Sequence, residues 1–496
     1  MRKLISVLLL LALIITAVLP IASARPPTTM EEEAEMHFLN QLRRARIPNA
    51  AIAVIEDGET SYLFKDSAHD TLFQIGSVSK SFTAFAILLL EDMGLLSVSD
   101  PVNQHFPWFE VRYNGMPVPH GDMSIYNLLH HTSGLTSNER RFPATTAGMV
   151  ADDIVSQLIG IELAFYPSTE FGYGNINYVI LGLLIEAVSG QSYDKFMTEQ
   201  ILHPLGLYNT FADIWRAHET GRVIGGNRLG FLQSRPWNPP VTPLAVPTGF
   251  IYSDISDLAR WAGIHLGTIE VAEPFTRIVQ RSQENHHSAE NPFADKAFFY
   301  AAGWFIHLES GEIEHGGQTP GYSTLVSFFP YDNTAVVALG NLVLASIMHP
   351  FGTLALDNIE GYSFDVIRID FFTILDIILT TITVIGIVSA GMFVWLAIKL
   401  TKKLRRRDRI KVNLTVKNAV GMIGPIISLV ALVVFYVVPP ILQDTSRAVI
   451  LIYAPASLTT GYIALWAIAA YAWCSWFAKC LFVPDTANNS QNHPNT

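Results

Sequence analysis

Phe73-Gln74-Ile75-Gly76-Ser77-Val78-Ser79-Lys80-Ser81-Phe82-Thr83-Ala84 is the stretch on which the fold turns. Before it, Ala51–Ile55 and Ser61–Phe64 flank Asp57-Gly58, which predicts a strand, a tight turn and a second strand. After it, Phe82–Leu90 is apolar on nearly every face, which predicts a buried helix from about Val78 to Met93, stopping at Gly94. Ser77 and Lys80 therefore stand at a helix start, three residues apart and on one face, so Oγ and Nζ can approach each other. A serine hydroxyl becomes a nucleophile when a neighbouring base takes its proton. Burial lowers a lysine pKa and makes the amine such a base. The dipole and free N–H groups of a helix start also favour developing negative charge.

The four-residue pattern alone is common. Ser192-Tyr193-Asp194-Lys195 repeats it, but among charged neighbours on a mixed amphipathic helix, where Ser192 reads as a cap. Two further strings single out the first copy. Tyr173-Gly174-Asn175 sets a phenol and an amide in a Gly-rich bend before the apolar segment Tyr178–Ile185. Held near a cation, a phenol can act as a base, and an amide can hold a substrate carbonyl. His315-Gly316-Gly317 precedes the last hairpin, where glycines allow close backbone approach and an edge strand can pair with an acyl chain. Decoys have plainer readings. Tyr331-x-Asn333 is a hairpin turn, His265-x-Gly267 a helix end and His286-His287 solvated; His130-His131 could suggest a metal, but the string that carries the resemblance given below places it before a turn, as structure. Trp304, Phe305, Phe328 and Phe329 read as core.

Around these strings, Met30 to Arg46 has helical spacing, acidic early and basic late. The middle, roughly residues 95–245, is helical pattern broken by Pro and Gly, including Tyr178–Ser189 and Tyr193–Leu202. Asp254-x-x-Asp257 caps a helix through about Leu266. Leu325–Pro330, a turn at Asp332-Asn333, and Ala335–Leu339 close the domain as a hairpin. Strands at both ends with helices between them predict an α/β fold. Its antiparallel sheet is built from N- and C-terminal parts, flanked by helices, with a helical insertion.

Taken together, the strings resemble the serine β-lactamase and penicillin-recognising enzymes, specifically the class C branch with its D-peptidase and esterase relatives. The likeness rests on residues 73–84, on Leu128-Leu129-His130-His131-Thr132-Ser133-Gly134-Leu135, and on His315-Gly316-Gly317-Gln318-Thr319-Pro320-Gly321. It spans about residues 30–345. The resemblance implies a β-lactamase/transpeptidase-like fold in which Ser77 attacks a carbonyl and is acylated. Lys80 and Tyr173 would move protons, with Tyr173 activating the deacylating water; which of them is the acylation base stays open. Asn175 would orient the substrate amide, and His315, Gly317 and Gln318 would line the substrate site. The N–H groups of Ser77 and Gln318 would form the oxyanion hole. Class C β-lactamases have lysine where His315 stands; histidine is similar to the esterase and peptidase relatives and removes a fixed cation suited to a β-lactam carboxylate.

The ends of the chain are of another kind. Met1-Arg2-Lys3, an apolar run to about Leu19 and Ala22-Ser23-Ala24 predict a signal peptide over residues 1–24. Beyond residue 370 three apolar stretches, about Phe371–Ile398, Val416–Leu442 and Val449–Leu481, each exceed the roughly 20 residues a membrane helix needs. The basic loop 399–411 between the first two belongs in the cytoplasm, which puts residues 25–370 outside and leaves a short polar tail, 482–496, inside. Asp376, the only acid in the first stretch, is expected near its outer end within reach of headgroups; a proton path is the less favoured reading. The whole chain carries −11; its tail holds eleven Lys/Arg against four Asp/Glu and its leader two more cations, so residues 25–370 stand near −20. Such a charge argues against a nucleic-acid partner. Both cysteines, Cys474 and Cys480, lie in the last apolar stretch, so the exported domain has no disulfide and no thiolate metal site. No metal or organic cofactor is implied.

The expectation is an extracytoplasmic serine hydrolase on a three-helix anchor in the lipid bilayer. Its substrate would be a small molecule or peptide: a carboxylic ester, a D-amino-acid or cell-wall peptide, or a β-lactam. The rival from another class is a β-lactam- or peptide-binding sensor with little turnover.

Overall fold

The computed structural model describes residues 45–136, 158–239, 243–284, 298–343, 371–405 and 454–481, with isolated helical residues at 36–43 and 156. The predicted leader, most of the Met30–Arg46 helix, His286-His287, the apolar stretch Val416–Leu442 and the polar tail lie outside them. The chain divides after Gln41 into two compact units, and the sheet and its helices belong to the second, Leu42–Thr496.

In chain order the strands are β1 (Ala50–Glu56), β2 (Glu59–Lys65), β3 (Phe73–Gln74), β4 (Val111–Tyr113), β5 (Met116–Pro117), β6 (Ile161–Glu162) and β7 (Asn227–Gly230). They continue with β8 (Gln233–Pro236), β9 (Tyr252–Ser253), β10 (Phe298–Tyr300), β11 (Phe305–His307), β12 (Ile313–Thr319), β13 (Tyr322–Phe329) and β14 (Thr334–Gly340). Seven form one antiparallel sheet in the order β10-β11-β12-β13-β14-β1-β2. The N-terminal hairpin thus joins the C-terminal strands through β1 and β14, with Ala53 opposite Val337. The predicted Asp57-Gly58 turn is there, both residues at positive φ, as a two-residue hairpin turn requires.

Helix α1 (Ser79–Asp92) follows a 3₁₀ turn at Gly76–Val78, and every residue from Ser79 to Leu90 is buried. Burying that many side chains is favourable only because its polar groups find partners. Ser79 Oγ accepts from the Ile251 N–H, Ser81 Oγ accepts from the Trp261 indole, and Thr83 donates to the Pro247 carbonyl. Helix α2 (Asn175–Ser189) packs on α1 and ends at Gly190 in the left-handed conformation. Helix α3 (Ile255–Leu266) lies on β1 and β14, capped by the Asp254 carboxylate on the Asp257 N–H as expected and ended by Gly267. Ser192 stands at the cap position of the next helix but makes no capping bond, and Lys195 is exposed.

Helix α4 (Phe371–Arg405) contains one span, Thr373–Lys403, long and apolar enough to cross a membrane by length and composition. Helix α5 (Ser457–Leu481) runs against it, with Gly386 backed onto Ala464 and Gly461 onto Leu379. Small residues at such contacts let two helices approach closely. Lys402, Lys403 and Arg405 end α4, where cations complement the helix dipole. Asp376 departs from expectation. It is fully buried rather than reaching toward headgroups, because its carboxylate is taken up by the turn between β7 and β8 and by Ser457.

Candidate active site

Ser77 sits in the 3₁₀ turn that feeds α1, partly exposed, above a wholly buried Lys80. Lys80 Nζ lies 3.1 Å from Ser77 Oγ, 2.8 Å from Asn175 Oδ1 and 2.6 Å from the Thr248 carbonyl. Burial holds this amine well below the usual lysine range. A neutral amine has two hydrogens and one lone pair. The Thr248 carbonyl and the Asn175 amide oxygen only accept, so they take both hydrogens. The lone pair is then left for the proton of Ser77.

Tyr173 precedes the start of α2, and Lys80 Nζ stands 4.9 Å from the centre of its ring. Its hydroxyl is sealed from solvent without a hydrogen bond of ordinary geometry. Burial pushes that phenol up, and the neighbouring Ser77 hydroxyl only partly offsets the effect. Asn175 is the first residue of α2, so one helix start supplies both the phenol and the amide.

Strand β12 supplies the third side. Along it His315, Gly317 and Thr319 are buried and share one face. Strand β11 pairs with β12 only at Glu314 and Ile313, so among the described residues no strand lies on the β11 side of Gly316, Gly317 and Gln318. Gly317 and Gly76 carry the contact between strand and turn. A Cβ on Gly317 would stand 2.1 Å from the Ile75 carbonyl oxygen, and one on Gly76 would stand 2.3 Å from the Gln318 nitrogen. Gly76 also has φ +56, the left-handed region that favours glycine. The Gln318 N–H is thereby brought beside the turn that carries Ser77.

The His315 ring is buried with both nitrogens engaged. Nδ1 stands 2.7 Å from the Gly316 carbonyl, which makes it the donor, so Nε2 accepts from the Tyr300 hydroxyl at 3.1 Å. Burial above all pushes its pKa down to about 3. It is a neutral, fixed imidazole.

The structure thus brings Ser77, Lys80, Tyr173, Asn175, His315, Gly317 and Gln318 to one place. It adds groups that the sequence did not single out. The Thr248 carbonyl leaves no side-chain signal. Tyr300, in the string Phe298-Phe299-Tyr300, looks like any strand aromatic, and Thr319 has a buried hydroxyl without a partner. Phe305, expected in the core, is partly buried and stands 5.3 Å from the His315 ring and 6.3 Å from that of Tyr173. His131 is structural, as expected. Its Nδ1 faces the Gly174 N–H and the Asn177 amide, which pins the bend carrying Tyr173. Among the described residues, no group of three His, Cys, Asp or Glu is placed to hold a metal.

The beta-lactamase family model matches residues 32–345. Protein flp of Staphylococcus aureus (strain NCTC 8325) is 27% identical over 402 residues, covering 77% of this chain and 78% of its own. In strain MRSA252 the match reaches 88% of this chain at 26% identity, so the likeness runs past residue 345 into the apolar tail. Penicillin-binding protein 4* of Bacillus subtilis (strain 168) is 28% identical over 293 residues, 55% of this chain and 61% of its own. Among solved structures, an octameric penicillin-binding protein homologue from Pyrococcus abyssi shares the fold, with a TM-score of 0.56 at 23% identity. It covers 67% of this chain and 77% of that one.

Proposed function

The chain belongs to the beta-lactamase family, and on that premise we propose that it is a membrane-anchored serine hydrolase forming an acyl-enzyme on Ser77. One observation carries the reading: the buried Lys80 amine stands within hydrogen-bond reach of Ser77 Oγ and of two carbonyl oxygens, those of Asn175 and Thr248, so in its neutral form it can give both hydrogens to the carbonyls and its lone pair to the Ser77 proton. On this reading Lys80 is the acylation base. The raised phenol of Tyr173 stays protonated in the resting enzyme and serves as a relay, passing a proton to the leaving group and later taking one from the deacylating water. The N–H groups of Ser77 and Gln318 hold the oxyanion, each contributing on the order of 3 kcal/mol to the transition state. Asn175, already bound to Lys80, orients the substrate amide, and the open edge of β12 pairs with the acyl part.

The substrate is an ester or an amide, such as a carboxylic ester or a D-amino-acid peptide of the cell wall. His315 supports this over a penicillin. Neutral and with both nitrogens occupied, it gives a substrate carboxylate no cation. The leader, the basic end of α4 and the apolar tail support an outward-facing domain on a multi-pass anchor, with the C-terminus inside.

The test is turnover of a chromogenic ester and a chromogenic cephalosporin, with mass spectrometry of the trapped protein. Multiple turnovers of the ester, an acyl adduct on Ser77 and loss of both in Ser77→Ala are expected. Undiminished turnover in Ser77→Ala defeats the assignment. A stoichiometric burst without turnover favours a sensor instead.

A further inference from the structure

The hairpin β7–β8 turns through Phe231 and Leu232, at φ 57 and 63. A two-residue turn of this kind ordinarily takes Asn-Gly or Asp-Gly, and bulky side chains in the left-handed region are strained. Such strain persists where surroundings impose it. Here the surroundings are a membrane helix. Asp376 of α4, fully buried, accepts from the Phe231 N–H at 3.0 Å and the Leu232 N–H at 2.8 Å, and from Ser457 Oγ of α5 at 2.5 Å. Successive N–H groups in this conformation form a cradle for an anion, and the carboxylate fills it. Beside it, the Ala456 N–H donates to the Leu229 carbonyl at 2.7 Å, and Gly230 is backed onto Ala456.

The base of the same hairpin grips the active-site strand. The Asn227 N–H donates to the Gly321 carbonyl at 3.1 Å, and Gly226 and Gly321 are so close that a Cβ on either would stand under 3 Å from the other's Cα. The Tyr322 hydroxyl donates to the Ile224 carbonyl at 2.6 Å. Gly321 belongs to the turn between β12 and β13, three residues after Gln318.

We propose that β7–β8 is a strut through which the membrane helices hold the end of β12, with Asp376 as its latch and a positioning residue for a reaction centre it does not touch. The hydrolase and its anchor then work as one body rather than as a domain on a tether. Docking stands without the assigned reaction, whereas the effect on catalysis rests on it.

The experiment uses the full chain in lipid nanodiscs, in a Cys474→Ser, Cys480→Ser background. Gly230→Cys with Ala456→Cys places two thiols at the docked contact; a Cβ on Gly230 would lie 2.6 Å from that of Ala456, so the two segments ease apart by about 1 Å to reach the Cβ separation of a disulfide, roughly 3.8 Å. High oxidative cross-linking is expected with Asp376 present, and yield several-fold lower with Asp376→Ala or Asp376→Asn. Both changes remove a charge from an apolar helix, so insertion is favoured rather than lost. Without the cross-link, Asp376→Ala should lower kcat on the chromogenic ester about tenfold, with KM within about twofold; closing the cross-link should restore kcat. Unchanged cross-linking in both variants overturns the latch. Lost cross-linking with unchanged kcat overturns the positioning role. Should the protein turn over no ester at all, cross-linking still decides the docking by itself.

Discussion

Lys80 and His315 are both buried beside Ser77, yet they are prepared for opposite tasks. Lys80 has one more neighbour than a neutral amine has hydrogens, so its chemistry is unfinished. His315 has a donor for its acceptor and an acceptor for its donor, so its chemistry is closed. Tyr300 does the closing. In Tyr300→Phe the Nε2 atom of His315 is left buried without a partner, which costs about 1–2 kcal/mol. A lower melting temperature is expected, and a spectroscopic titration should still find His315 neutral at pH 6, since burial is the first cause of its low pKa. An imidazole titrating at its ordinary value in that variant would show that Tyr300, not burial, keeps it neutral. The pairing of Ser77 with Lys80 was legible in the sequence because it is local: three residues on a helix meet by geometry alone. The bond from Tyr300 to His315 is set by sheet register, and the Thr248 carbonyl belongs to backbone that any residue could supply.

At the scale of elements, β12 decides whether the parts of the site face one another. Its inward residues alternate with outward ones, and the two neighbouring glycines give a paired test. Gly317 is packed on backbone, and an added Cβ would meet the Ile75 oxygen at 2.1 Å, while Gly316 faces open space. Backbone cannot yield as a flexible side chain can, so Gly317→Ala must push the strand off the turn of Ser77. Since a misplacement of about 1 Å costs on the order of 100-fold, kcat/KM should fall at least that far in Gly317→Ala. Gly316→Ala should stay within about threefold by the same reasoning. Equal losses in the two variants would remove the strand's role. The sequence announced hairpins whose turns carry turn residues, Asp57-Gly58 and Asn333. It was silent on β7–β8, because Phe231-Leu232 has no turn chemistry of its own, and its N–H groups meet Asp376, far away in the sequence.

Across the whole molecule, the closing of one sheet by strands some 280 residues apart, with Ala53 opposite Val337, was expected from apolar patterns at both ends of the domain. How the tail meets the hydrolase was not, since hydropathy sees apolar residues and not the partners of a single carboxylate. Three histidines, His131, His265 and His315, are buried neutral in the hydrolase, with His265 and His315 pushed down to about 3 by burial. A histidine depressed in the folded state contributes stability that is complete above its unfolded pKa of about 6.5. That contribution drains away as the pH falls toward the folded value, because the unfolded chain takes up the proton and the folded one does not. Asp254, raised to about 7 by burial, acts in the opposite sense between 7 and its ordinary value, so the net acid sensitivity of the wild type mixes both. A difference between variants removes the mixture. His265 lies against Trp261, Trp304 and Phe85, and its Nε2 has no partner, so His265→Phe keeps the packing and deletes one titrating group. Between pH 6 and 4 the unfolding free energy of the wild type should fall more steeply than that of His265→Phe. The difference should be about 1.4 kcal/mol per pH unit at most, one proton's worth. Parallel slopes in denaturant melts at pH 6, 5 and 4 would mean that His265 takes up its proton in the folded state after all, and the neutral buried ring would have to be abandoned.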